Sequence, residues 1–135
     1  MELQLKITGA LLIVLGVLHA PFPRYFKWKQ ELISLSLINR QMMYVHALFI
    51  ALMVFLMGLL CLTSSTDLLT TTLGRRISLG LGIFWLARLG IQFFGYSPKL
   101  WKGKSFETTA HVLFSILWTY LSAIFILTYL SWFSD

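Results

Sequence analysis

Three histidines, His19, His46 and His111, lie at the edges of apolar runs in this chain of 135 residues, and Arg88 lies inside one. Imidazoles carried on different helices can give two axial ligands to a haem iron or three nitrogens to a transition metal. At matching depth on separate runs, His46 and His111 are the expected axial pair for a haem b. Adding His19 completes a three-histidine set for a metal ion. Arg88 would then pair with a haem propionate. A second set points to different chemistry. Arg88 and Gln92 are four residues apart and so share one helical face, while Asn39 and Arg40 stand just before another apolar run. The two guanidinium groups would clamp a phosphate or carboxylate, and His, Gln and Asn would donate to a quinone carbonyl beneath an apolar tail pocket. Each residue also has a purely structural use. A histidine serves at a membrane interface or in one interhelical hydrogen bond, and Arg88 can tie to a carbonyl, to Glu107 or to a helix end.

The elements that must position these residues are membrane spans. Residues 42–61 contain no Lys, Arg, Asp or Glu and are long enough to cross a bilayer core of ~30 Å at ~1.5 Å per residue. Similar runs cover 3–19, 77–96 and 110–130. The expected fold is therefore all-α: a four-transmembrane-helix bundle forming a single integral membrane domain over 1–135. Prolines at 21 and 23 end the first span, and a short interfacial or re-entrant helix over 31–38 is expected between spans one and two. The run 3–19 has the layout of a signal peptide, but Leu18 stands where a small residue is needed for cleavage, so it is read as a span. Gly9, Gly16 and Ala20 share a face on it, and Gly80, Gly82, Gly90 and Gly95 punctuate span three. Both patterns predict close approach of a neighbouring helix. Residues 63–72 read as a polar connector.

Charge orients the bundle. Arg24, Lys27, Lys29, Arg40, Lys99, Lys102 and Lys104 fall in the loops 20–41 and 97–107, against Lys6, Arg75 and Arg76 on the other side. The positive-inside rule then puts the basic loops in the cytoplasm and both termini outside, in a bacterial inner membrane. Tyr25, Phe26 and Trp28 interleave with the first basic cluster. Beside a span, that mixture anchors to anionic lipid headgroups, so no nucleic-acid partner is expected. All three histidines come to the cytoplasmic boundary in this orientation, with Arg88 deeper. An arginine at a helix centre costs roughly 2.5–3.5 kcal/mol on insertion scales, so it should face inward with a partner. His111, Ser115, Thr119 and Ser122 form a stripe expected to point into the bundle and line a polar chamber.

Composition removes many alternatives. The chain is 58% hydrophobic and 12% charged, far from the roughly one-quarter charged of soluble domains. Five acidic residues make two-carboxylate catalysis improbable, and Cys61 is the lone cysteine. G-x-S-x-G, H-E-x-x-H and C-x-x-C are absent. In topology and ligand type alone the arrangement is similar to four-helix membrane cytochromes; no stretch of residues carries a family pattern. Haem or metal binding with a redox role is the first expectation. The alternatives are a non-catalytic accessory subunit, meeting other membrane subunits or a second copy, and a pocket for a lipid headgroup, anion or quinone.

Overall fold

The computed structural model describes residues 2–21, 23, 27–95 and 105–134, apart from the side chains at 107 and 132–134. Arg24, Tyr25, Phe26, Lys99, Lys102, Lys104 and the Glu107 side chain lie outside the described residues, so the charge asymmetry rests on sequence there.

All regular structure among the described residues is helical: α1 (Glu2–Leu18), α2 (Trp28–Glu31), α3 (Leu37–Thr63), α4 (Ser65–Thr70), α5 (Thr72–Phe94) and α6 (Ser105–Ser134). Three stretches, Leu37–Thr63, Thr72–Phe94 and Thr108–Ser131, are long and apolar enough to cross a membrane. The remaining expected span, α1, has 17 residues. At ~1.5 Å per residue it falls a few ångströms short of the ~30 Å core.

Helix boundaries differ from the sequence expectation where side chains cap the backbone. The hydroxyl of Ser36 accepts from the Asn39 N–H at 3.4 Å and starts α3 at Leu37, ahead of the apolar run. The region expected as one helix over 31–38 is instead divided. It holds the end of α2, turns, and the first residues of α3. Thr71 caps α5 in the same way, its hydroxyl accepting from the Gly74 N–H at 2.9 Å. Arg75 and Arg76 therefore lie within the helix. In the expected polar connector, α4 is closed by the Thr70 and Thr71 hydroxyls, which donate to the carbonyls of Thr66 and Asp67. Gly74 allows this corner, because a Cβ there would strike the Asp67 carbonyl and lie 2.6 Å from Leu68 Cα.

The chain divides into two compact units, residues 3–65 and residues 66–135 with 1–2. In the first, a Cβ on Gly9 would lie 2.7 Å from the Gly58 carbonyl oxygen, and one on Gly16 would lie 3.0 Å from that of Ala51. Seven residues forward on α1 match seven backward on α3, so these helices run antiparallel at near backbone contact. Lipid tails are as apolar as leucine, so intimate packing of small residues rather than hydrophobic exclusion holds such a pair together. In the second unit α5 and α6 form a hairpin. The buried face of α5 carries Gly74, Ser78, Gly82, Trp85 and Gln92, and α6 buries Trp118, Leu121, Ser122, Ile124, Phe125 and Thr128. Both sets repeat at helical spacing.

Candidate functional site

Arg88, Gln92, His111 and Trp118 converge within the α5–α6 hairpin. Gln92 is their centre, buried to 7% exposure. Its Oε1 accepts from Arg88 Nη1 at 3.2 Å and from Trp118 Nε1 at 3.3 Å, and its Nε2 lies 2.8 Å from His111 Nδ1. Arginine and indole nitrogens only donate, which fixes the amide: the oxygen faces Arg88 and Trp118, and the NH2 faces the imidazole. His111 Nδ1 must then accept. A neutral His111 ring consequently carries its hydrogen on Nε2.

Aromatic rings enclose this network. The Arg88 guanidinium sits 5.0 Å from the centroid of the Trp118 ring, a cation–π placement worth ~0.5–2 kcal/mol depending on desolvation. Trp118 stacks with Trp85 at 5.2 Å and 12°, and with Phe114 at 5.6 Å and 18°. Phe93 meets the His111 ring edge to face at 5.9 Å. Trp85 Nε1 is buried without a hydrogen-bond partner among the described residues. Arg88 is six residues from the end of α5 at Phe94, about 9 Å along the helix axis. Its charge is thus inside the apolar span and half-buried.

The polar stripe of α6 bonds along its own helix. Ser115 donates to the His111 carbonyl at 2.7 Å, Thr119 to that of Ser115 at 2.8 Å, and Ser122 to that of Trp118 at 2.9 Å. Each hydroxyl gives its hydrogen to its own helix and keeps its oxygen as an acceptor, and Thr119 is exposed. A shallow cavity of about 360 Å³ bounded by Ser115, Ile116, Thr119 and Tyr120 does lie along α6, beginning one turn from His111.

The other residues of the two expected sets belong to the first unit. His19 is half-buried at the end of α1, with Nδ1 2.8 Å from the Leu15 carbonyl. A carbonyl can only accept, so this ring carries its hydrogen on Nδ1, the opposite tautomer to His111. His46 is exposed on α3. Asn39 is exposed and gives its backbone N–H to the Ser36 cap. Arg40, the next residue of the same helix, is half-buried beside Trp28 and Tyr44. Among the described residues no group of three or more His, Cys, Asp and Glu is placed to hold a metal ion.

Sequence reasoning passed over the two tryptophans, because a tryptophan in an apolar run reads as filler. The signal was spacing: Trp85, Arg88 and Gln92 fall on one face of α5, and His111 and Trp118 on one face of α6. No family model matches this chain, and no curated protein or solved structure matches it.

Proposed function

We propose that this protein is an integral membrane protein whose α5–α6 hairpin binds the acceptor-bearing headgroup of a membrane-dissolved amphiphile: a quinone carbonyl, or the phosphate or carboxylate of a lipid. The observation that carries the reading is the orientation of Gln92. With two donors on its oxygen, it turns its NH2 to His111 Nδ1, which accepts, so a neutral ring carries its hydrogen on Nε2, the tautomer of a donor rather than of a metal ligand. A haem or metal bound at His111 Nε2 would need a lone pair there, hence a different arrangement of the Gln92 amide. Arg88 supplies positive charge at the same place. Trp85 Nε1, buried without an acceptor, is a further donor on that face, and leaving such a group unsatisfied costs about 1–3 kcal/mol. The cavity that starts at Ser115 gives an apolar tail a course along α6.

In this reading α1 is a fourth span, the basic loops face the cytoplasm of a bacterial cell, and the headgroup site lies near that face. The test is to purify the wild-type protein gently, extract it with organic solvent and quantify quinones and lipids per chain by mass spectrometry. One class should be enriched and near-stoichiometric in wild type, then reduced about tenfold or more in Arg88→Gln, the loss expected from removing a charge-assisted hydrogen bond. Unchanged content in Arg88→Gln and His111→Ala, with both variants folded, would refute the proposal.

A further inference from the structure

The first unit carries a second site. Positions Leu37, Arg40, Gln41 and Tyr44 repeat at helical spacing along the start of α3 and, with Trp28 and Lys29 of α2, line a cavity of about 250 Å³. Trp28 is held in its wall by edge-to-face contact with Tyr44, centroids 5.3 Å apart at 72°. The chain can present Trp28 there because Lys27 adopts the left-handed conformation, φ 55° and ψ 45°, immediately before α2. The Glu31 N–H then closes back onto the Lys27 carbonyl at 2.9 Å. Arg40 Nε is buried with no hydrogen-bond partner among the described residues. A guanidinium donor removed from water and left without an acceptor calls for an anion.

The depth of the cavity says which anion. Helix α3 has 27 residues and is ~40 Å long at ~1.5 Å per residue, whereas the apolar core needs only ~30 Å. Its charge-free run begins only at residue 42, which puts the preceding turn, with Asn39, Arg40 and Gln41, at headgroup level when α3 crosses the bilayer. There the positive dipole end of the helix adds to Arg40 and Lys29. The Trp28 and Tyr44 rings supply an amphipathic wall of the kind that sits at headgroup level.

We infer that the Trp28–Lys29–Arg40–Tyr44 cavity binds the phosphate of an anionic membrane phospholipid. Arg40 donates through its planar fork, Lys29 contributes a mobile ammonium at the mouth, and the aromatic pair packs on the glycerol and upper acyl chain. Its residues all belong to the first unit, and those of the Arg88 network to the second.

Native mass spectrometry of the full chain in mild detergent tests this, using phosphatidylglycerol, phosphatidylcholine and inorganic phosphate as separate probes. Phosphatidylglycerol should be retained about tenfold better than phosphatidylcholine and lose about tenfold in Arg40→Gln, the scale of one charge-assisted contact. Lys29→Gln should lose less, and Arg40→Lys should recover part of the loss. Arg76→Gln, an equal change of charge at an exposed position on α5, should leave retention unchanged. Repeating Arg40→Gln in an Arg88→Gln background separates the two sites, since the fold-loss should persist there. Inorganic phosphate that binds alone, shows the same dependence on Arg40, and is not outcompeted by phosphatidylglycerol would identify a free anion as the source and overturn the lipid assignment. Phosphatidylglycerol held equally by wild type and Arg40→Gln, or no better than phosphatidylcholine, would overturn the site.

Discussion

Gln92 is the residue that gives the hairpin site its polarity of donors and acceptors. Replacing it with leucine leaves the buried Trp118 N–H without its acceptor, at about 1–3 kcal/mol, and removes one contact of Arg88. Gln92→Leu should therefore lower the thermal midpoint in detergent by several degrees, measured by circular dichroism. A midpoint unchanged from wild type would mean that these bonds carry no stability. A spectroscopic prediction is sharper. In 15N-histidine NMR at a pH where the rings are neutral, His19 should show the Nδ1–H tautomer and His111 the Nε2–H tautomer. Gln92→Glu, which presents an acceptor to the ring, should convert His111 to Nδ1–H. The same tautomer at both histidines in wild type would contradict the assigned network. Arg88, Gln92 and His111 were legible in the sequence as polar residues at compatible depth. Their bonding was not, because which atom of an amide faces which neighbour depends on helix rotation, and periodicity does not set that to within one side chain.

Small residues divide the helices into packed and open faces. Gly9 and Gly16 read from sequence as a surface for close approach, and α3 of the same chain occupies it. Gly9→Leu or Gly58→Leu should accordingly destabilise the protein itself, seen as aggregation in size-exclusion chromatography, rather than merely releasing a partner. Monodisperse, stable Gly9→Leu protein would show that the α1–α3 contact is dispensable. Gly80 is the contrasting case, with nothing within 4 Å of a Cβ built there. Gly80→Ala should stabilise by about 0.5–1 kcal/mol, the usual difference between these residues in a helix interior. A loss of stability instead would mean that the position is packed. Composition cannot separate these glycines, since the partner facing each one decides its role. Helix starts were misplaced for a related reason: the Ser36 and Thr71 caps act before the apolar pattern begins.

At the scale of the whole molecule, membrane character was plain in the sequence, because runs such as 42–61 leave no polar face for water. Three of the four expected spans have the length and composition to cross; α1, with 17 residues, is the short one. Local thinning of the bilayer can accommodate a few ångströms of mismatch at a modest cost. Reporters fused in turn to the two termini should both be active on the outer side if α1 crosses; reporters active on opposite sides would mean three crossings. The central claim is that the hairpin holds a headgroup through Arg88 and a donating His111. Its most direct test is the organic extract of gently purified wild-type, Arg88→Gln and His111→Ala proteins, with an absorption spectrum taken before extraction. The account predicts one near-stoichiometric quinone or lipid in wild type, its loss in both variants, and no Soret band. A Soret band that disappears in His46→Ala and His111→Ala, with equal lipid and quinone content throughout, would contradict it and make those histidines haem ligands.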